Sequence, residues 1–182
     1  MLLKKTKFCT LLVSLTVFVS CFEGTDFEQV NDVLLTPEIE LDLIYFTIDA
    51  SQFYNATTNS EILVLKDTTD LDFLGGRDIA TILKKADFLF QFTNSIPLEF
   101  NVSFDFLNGQ NTSMYFMEAT VVSGTENNPG ITNYIEEVGE QEIKDLTKGD
   151  KVVITVAIPS SSQGLTGALN LQSKTTYYLE ID

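Results

Sequence analysis

Carboxylates are almost the only side chains in this sequence that could do acid–base chemistry. The chain has 182 residues, no histidine and two cysteines, Cys9 and Cys21, beside 26 acidic residues. Histidine is the usual general base near neutral pH, so Ser-His-Asp and Cys-His catalysis and His-ligated zinc are excluded. Gly75-Gly76 is not followed by the Gly-Lys-Ser/Thr of a phosphate-binding loop. We therefore expect no cofactor.

Paired carboxylates can hydrolyse glycosidic bonds, and their separation sets the stereochemical outcome. Asp70 with Asp72, or Glu136 with Glu137, would form such a pair. Neither pair is set apart from the other acids by a surrounding motif, and function has to be argued from a site. We therefore predict that the protein is not an enzyme, and we name no catalytic residue.

The densest group of acids lies in the segment DTTDLD, at Asp67, Asp70 and Asp72. Calcium prefers carboxylate oxygens, but this spacing lacks the ligand pattern and the glycine of an EF-hand loop. Acids clustered in this way are typical of a solvated turn. We predict no metal site here.

The first 20 residues have the pattern of a secretory signal. Three lysines, at positions 4, 5 and 7, precede an apolar stretch over residues 8–19. The stretch is too short to cross a bilayer, which takes about 20 apolar residues, but it has the length found in signal peptides. Cleavage would discard Cys9 and leave Cys21 without a partner for an internal disulfide.

The sequence Phe18-Val19-Ser20-Cys21 resembles the lipobox of bacterial lipoproteins. The resemblance implies cleavage before Cys21 and a diacylglyceryl group on its thiol, with acyl chains such as palmitate. Two or more acyl chains on one cysteine give stable membrane anchoring, which a single chain does not. Phe18 departs from the usual Leu, Val or Ile. An ordinary signal peptide that leaves Cys21 unmodified is the alternative.

As a whole the chain resembles the strand-rich, uncharacterised lipoproteins of Bacteroidetes, especially flavobacteria, a resemblance that carries no known activity. It implies a signal peptide over residues 1–20, a lipidated acidic tether over 21–37, and one domain over 38–182. It also implies a lipid anchor in the outer membrane, facing the periplasm or the cell surface. Asp67-Thr68-Thr69 resembles the O-glycosylation acceptor of the same bacteria, which makes Thr68 a candidate modified residue.

The net charge of −15 limits the partners of the protein. Nucleic-acid binding needs a basic surface to contact phosphates, so it is excluded. Electrostatic docking on anionic lipid is disfavoured for the same reason. The expected contact with the lipid bilayer is therefore the acylated Cys21 itself.

Alternating apolar and polar residues predict strands through most of the remaining chain. The predicted strands cover 38–48, 61–66, 86–92, 97–107, 110–122, 151–158 and 171–182, and short helical segments cover 77–85 and 142–146. From Leu43 onward both faces of the first strand turn apolar, which predicts a covered region. The pattern predicts a mainly β fold, an immunoglobulin-like β-sandwich of about seven or more strands with one or two short helical crossovers. An open barrel is the alternative.

Asn108-Gly109 predicts a two-residue type I′ turn, because both central positions of that turn need a positive φ. The turn would fix the register of the hairpin. Val102 would then face Tyr115, and Glu99 would face Glu118.

These features together predict a membrane-anchored, non-catalytic binding or structural module of the cell envelope, with an envelope protein or a glycan as its partner. The alternative is a carbohydrate-handling protein, either a binding module or a carboxylate-based hydrolase. A concave face with an exposed tyrosine, such as Tyr54 or Tyr178, beside paired acids would favour the alternative. A smooth, polar sandwich face would favour the first function.

Overall fold

The computed structural model describes residues 34–71, 73–74 and 79–181. The signal segment, Cys21 and most of the tether lie outside these residues, so the predictions made for them remain predictions. Residues 35–181 form one compact unit. No helix within the described ranges is long and apolar enough to cross a bilayer.

The described residues form ten strands and three short helices. In chain order they are β1 (Glu38–Asp49), a 3-10 helix (Ala50–Phe53), β2 (Tyr54–Asn55), β3 (Ser60–Glu61), β4 (Val64–Asp70), α1 (Ile79–Ile82), β5 (Leu83–Asn94), β6 (Phe100–Leu107), β7 (Ser113–Val121), β8 (Gly130–Val138), α2 (Glu140–Leu146), β9 (Lys151–Ala157) and β10 (Ala168–Leu179).

Eight of these strands make a sandwich of two four-stranded sheets. The first sheet has the order β1-β10-β5-β8 and the second the order β4-β9-β6-β7, while β2 and β3 form a small hairpin. All pairings are antiparallel. The predicted mainly β sandwich is confirmed. Its strand order is that of an eight-stranded jelly roll, whereas an immunoglobulin sandwich of the constant type divides seven strands between its sheets.

Phenylalanines form the centre of the core because they occupy alternate positions on facing strands. Phe88, Phe90 and Phe92 on β5 are fully buried, as are the phenylalanines of β6. The rings of Phe90 and Phe104 stack across the two sheets with their centroids 4.2 Å apart. Since burying one such side chain contributes about 1.5–3 kcal/mol, this row accounts for much of the attraction between the sheets.

The hairpin between β6 and β7 differs from the predicted one. Its loop has five residues, 108–112, and Val102 pairs with Ala119 instead of Tyr115, so the predicted register was wrong by four residues. The side-chain oxygen of Asn108 accepts hydrogen bonds from the backbone N–H groups of Gln110 (3.0 Å) and Thr112 (2.9 Å). The Asn108 side chain thus stabilises a longer loop in place of the predicted two-residue turn. The positive φ in this loop is at Asn111.

Two further elements differ from the sequence pattern. Within the predicted helix over 77–85, the described part is helical at α1, and β5 begins at Leu83, which makes the predicted helix too long at its end. Strand β8 was not predicted at all. Its apolar residues Ile131 and Ile135 point outward and are 62% and 61% exposed, while Tyr134 and Glu136 on its inner face are half-buried. The usual relation between polarity and burial is therefore inverted at these four residues, whereas Val138 on the inner face is buried.

A buried asparagine fixes the corner where β5 ends. The Asn94 amide donates hydrogen bonds to the carbonyl oxygens of Leu98 (2.8 Å) and Val122 (2.9 Å), and its oxygen accepts one from the N–H of Ile96 (2.8 Å). A Cβ on Gly124 would lie 2.0 Å from the Asn94 backbone oxygen, so the glycine is required for this approach. The Asn94 side chain thus pairs three backbone groups, of which the N–H of Ile96 is buried and the two carbonyl oxygens are partly buried.

Replacing Asn94 by alanine should lower the free energy of unfolding by about 3 kcal/mol. The buried N–H of Ile96 would lose its partner, at about 1–3 kcal/mol, and two partly buried carbonyl oxygens would each lose a hydrogen bond. Urea denaturation would measure the change. Asn101→Ala is the matched control, since Asn101 is exposed on β6 and surface changes cost about 0.5 kcal/mol or less. Equal effects of the two substitutions would contradict the structural role of Asn94.

Candidate functional site

A β-bulge in β1 shapes the outer face of the first sheet. Asp42 pairs with Lys174 and Tyr45 with Gln172, so two residues of β1 lie opposite the single residue Ser173. The Ser173 hydroxyl donates to the Ile44 carbonyl oxygen (2.7 Å) and accepts from the Ile44 N–H (2.9 Å). A bulge of this kind bends a strand and re-aims its side chains.

The extra residue changes the phase of β1. Before the bulge Leu43 is on the inner side, and after it Phe46 and Ile48 are on the inner side and pack against the core. Tyr45 therefore points outward and is 68% exposed. The apolar run from Leu43 onward had predicted a covered region. Instead, β1 contributes apolar side chains to the core both before and after the bulge, and the Tyr45 ring between them is exposed to solvent.

The bulge borders a groove on the outer face, which we call the outer-face groove. One part of it has a volume of about 610 Å³, and an adjoining part has about 230 Å³. The two parts share Asp42, Gln172 and Ser173. The first part is lined in addition by Tyr45, Phe46, Thr47 and Asn170, and the second by Leu89, Gln91 and Lys174.

The strand register aligns polar side chains across this face. Tyr45, Gln172, Gln91 and Asn133 lie side by side on β1, β10, β5 and β8, and we call them the amide row. The next row on the same face consists of Thr47, Asn170, Thr93 and Ile131. None of these eight residues carries a charge. The rows thus form an uncharged strip across all four strands that is polar at every position except Ile131.

Tyr45 is the most exposed of the six tyrosines, and its hydroxyl has no partner among the described residues. Tyr54 donates to Asn59 (2.5 Å), Tyr178 to Asp87 (3.0 Å), and Tyr115 and Tyr134 to Glu136. Tyr177 is 2% exposed. Gln172 and Asp42 are likewise unpaired in the described part, whereas Gln91 donates to Asn133 (3.2 Å) and Asn170 to Thr47 (2.9 Å). Three polar side chains without internal partners in the described ranges, Tyr45, Gln172 and Asp42, therefore lie together in the groove.

The two tyrosines named from the sequence are already engaged. Tyr54 lies in the β2–β3 hairpin, bonded to Asn59. Tyr178 does lie on the outer face of the first sheet, but the Lys85 ammonium sits 5.2 Å from its ring centroid. Sequence reasoning missed Tyr45. The signal that could have revealed it is the phase change at Leu43, where strict alternation breaks.

The structure places the two acids of the nominated pair Glu136 and Glu137 on opposite faces of β8. Neighbouring strand residues point to opposite faces, so Glu136 contacts tyrosines on the inner side while Glu137 approaches Lys85 outside (3.3 Å). Asp67 and Asp70 lie on strand β4 and not in the expected turn, and Asp72 falls outside the described residues. Those residues contain no group of three metal-ligating side chains. Thr68 is exposed on β4 with its N–H bonded to Asp67 (2.8 Å), and its glycosylation remains a prediction.

Glu136 instead links the edges of the two sheets. It accepts a hydrogen bond from Tyr115 on β7 (2.6 Å) and another from Tyr134 on its own strand. Burial is the main cause that raises the pKa of both phenols, and the hydrogen bond to Glu136 and its charge add to it. The pKa of Tyr134 rises to about 12. With both carboxylate oxygens occupied, this cluster closes one side of the sandwich.

No family model and no curated protein sequence matches this chain. Several solved structures are similar in fold. A protein of Parabacteroides distasonis described as secreted is 12% identical with a TM-score of 0.47, over 63% of this chain and 37% of its own. VP2 of infectious bursal disease virus, in a subviral particle, is 8% identical with a TM-score of 0.45, over 79% and 32%.

The enzymatically active domain of tailspike protein 4 of bacteriophage CBA120 is 11% identical with a TM-score of 0.40, over 80% of this chain and 19% of its own. This chain thus spans less than two fifths of each of the three chains. The likeness concerns the fold alone and carries no function to this protein.

Because Tyr45 makes no internal hydrogen bond and is mostly exposed, Tyr45→Ala should change the free energy of unfolding by about 0.5 kcal/mol or less. Thermal or urea unfolding followed by circular dichroism would measure this. The buried Tyr177 is the contrast, since Tyr177→Ala should cost about 3–5 kcal/mol through the cavity it leaves. A large loss for Tyr45→Ala would mean that this residue serves the fold.

The tyrosine cluster predicts a loss of stability in alkali. A phenol whose folded-state pKa is raised contributes stability that is complete below its ordinary pKa of 10.0 and is lost as the pH rises through the folded-state value. The free energy of unfolding of the wild type should therefore exceed that of a Tyr115→Phe/Tyr134→Phe variant by a constant margin from neutral pH to about pH 9. The margin should shrink between pH 10 and about 12. Urea unfolding across this range is the test, and a margin independent of pH would refute it.

Proposed function

We propose that this protein is a lipid-anchored, non-catalytic binding module of the bacterial cell envelope and that the outer-face groove is its binding surface. One observation carries the binding half of this proposal. The exposed Tyr45, the Gln172 amide and the Asp42 carboxylate converge on one groove with their polar groups free within the described chain. Polar groups placed in a concave site and left without internal partners are suited to orient a ligand.

The anchoring half rests on the sequence. The lipobox-like Phe18-Val19-Ser20-Cys21 follows a basic and then an apolar segment, and Cys21 would be the sole cysteine after cleavage. Acylation of that thiol would hold an acidic domain at a membrane without any basic docking surface. The outer membrane, on its periplasmic or outer side, is the location we propose.

The distribution of carboxylates supports a binding role over hydrolysis. Glycosidases of the common type place two carboxyl groups about 5–9.5 Å apart around the scissile bond. Of the residues that line the groove, Asp42 is the one that carries a carboxylate. The nominated pair Glu136 and Glu137 faces opposite sides of β8. The carbohydrate-binding form of the alternative function is favoured by the amide row, and its hydrolase form has no such support.

Substituting Cys21 by alanine should release the protein from the membrane fraction, because no acyl chain could then be attached. Fractionation of cells expressing the full chain would show the protein moving from the membrane pellet to the soluble fraction. Cys9→Ala is the matched control, since Cys9 lies in the segment removed as signal peptide, and it should leave the protein in the pellet.

Mass spectrometry of the purified wild type should find Cys21 as the first residue, carrying acyl chains. A mature protein that begins elsewhere, or a Cys21→Ala variant that stays in the membrane pellet, would overturn the anchor.

A further inference from the structure

We infer that the outer-face groove binds a neutral polysaccharide, laid across the strands along the amide row with Tyr45 at one end. The inference rests on the proposed function, because it takes the groove as the binding surface and names the chemical class of its ligand. It is carried by charge, by hydrogen-bonding capacity, by the exposed aromatic ring and by the shape of the face.

Charge selects a neutral ligand. The amide row and the row beside it carry no formal charge in a chain of net charge −15. On β1 the strip is flanked by Asp42 on one side and Asp49 on the other. The nearby cation Lys174 is bound to Glu40 at 3.0 Å, so no unpaired cation is available in the groove to meet an acidic sugar, a phosphate or a lipid headgroup. Like charges would repel such ligands.

Hydrogen-bonding capacity selects hydroxyl groups. The Gln172 amide is free and can both donate and accept, and Asp42 offers two acceptor oxygens. Adjacent sugar hydroxyls also donate and accept, and two of them can share one carboxylate. An apolar ligand would bury these groups without partners, at about 1–3 kcal/mol for each. The groove is therefore matched to a ligand rich in hydroxyls.

The aromatic ring supplies the contact area. Tyr45 is 68% exposed, and Gln172 is its partner across the strands. Aromatic side chains provide large, rigid contact surfaces with a polar tip, and the C–H face of a sugar ring packs on such a surface. Tyrosine loses little conformational entropy in doing so, since only two side-chain torsions have to be fixed.

Shape selects a chain over a single sugar. Neighbouring strands lie about 4.8 Å apart, so the amide row spans roughly 14 Å, which is longer than one sugar ring. The groove continues from the part beside Tyr45 into the part beside Gln91. An extended peptide usually adds to a sheet edge through its backbone, whereas this strip lies on the sheet face. Affinity should accordingly increase with the length of the oligosaccharide.

The test is calorimetric titration of the mature lipoprotein in a polyoxyethylene detergent, which offers no sugar headgroup. The probes are the neutral hexasaccharides of cellulose, xylan, mannan and amylose, the matching monosaccharides, and the anionic hexagalacturonate. At least one neutral hexasaccharide should bind saturably, and its monosaccharide should bind far more weakly.

Four substitutions then locate the site. Tyr45→Ala and Gln172→Ala should each weaken binding about tenfold, as expected for anchor residues of an interface. Tyr45→Phe keeps the ring and should retain most of the affinity. Gln163→Ala is the matched control, because Gln163 is exposed in a loop away from the groove lining, and it should leave the affinity unchanged.

The opposing outcomes separate the inference from the proposed function. Binding of hexagalacturonate alone, weakened by Tyr45→Ala, would overturn the neutral ligand and keep the groove as the binding surface. Binding of a neutral hexasaccharide that neither Tyr45→Ala nor Gln172→Ala weakens would overturn the groove itself, and with it the binding half of the proposed function. Absence of binding to every probe would overturn the glycan inference, while the fate of Cys21→Ala still decides the anchor.

Discussion

The two-residue period of the β-strand, fixed by burial of phenylalanine, is the constraint on which the rest of this structure depends. Phe90 and Phe92 must face the second sheet because their burial stabilises the sandwich. Gln91, between them, must then face outward. The same relation holds along β10, where Leu171 and Ser173 point inward and place Gln172 outside. The packing of the core thus determines which positions lie on the outer face, and the residues that the sequence places at these positions form the amide row.

The bulge in β1 relaxes this constraint at the residues that border the outer-face groove. Without the additional residue, an uninterrupted period would turn either Leu43 or Phe46 away from the core. Ser173 makes the bulge possible because its hydroxyl satisfies both the N–H and the carbonyl of Ile44, which a regular ladder would otherwise pair. Ser173 occupies a buried position where an apolar residue would be usual, because its hydroxyl is needed to pair with the backbone of Ile44. Tyr45 is exposed as a direct consequence.

The sequence predicts the fold class and most of the strands because alternation is a local property that core burial enforces. It fails at β8, where Ile131 and Ile135 face solvent and Tyr134 and Glu136 face inward, since the tyrosine–glutamate contact there depends on β7. It fails at the hairpin, where the Asn108 side chain overrides the dipeptide preference. It also fails at Tyr45: the break in alternation at Leu43 marks a change of phase, but the position of the bulge depends on Ser173, 129 residues from Ile44 in the chain. The candidate site arises from such distant pairings, which single-strand patterns do not contain.

The proposed anchor and the proposed ligand are physically related. An open groove on a sheet face buries little of its ligand, so each contact is expected to be weak. Several copies of this protein held in one membrane could bind the same polysaccharide, because its sugar unit repeats along the chain. Once one copy has bound, the neighbouring copies bind at a high effective concentration. Such multivalency can raise the overall affinity by about 10²–10⁴ without any new contact. A shallow, uncharged and permanently exposed groove is thus sufficient on an anchored protein, where a monomer in solution would require a deeper and more enclosed site.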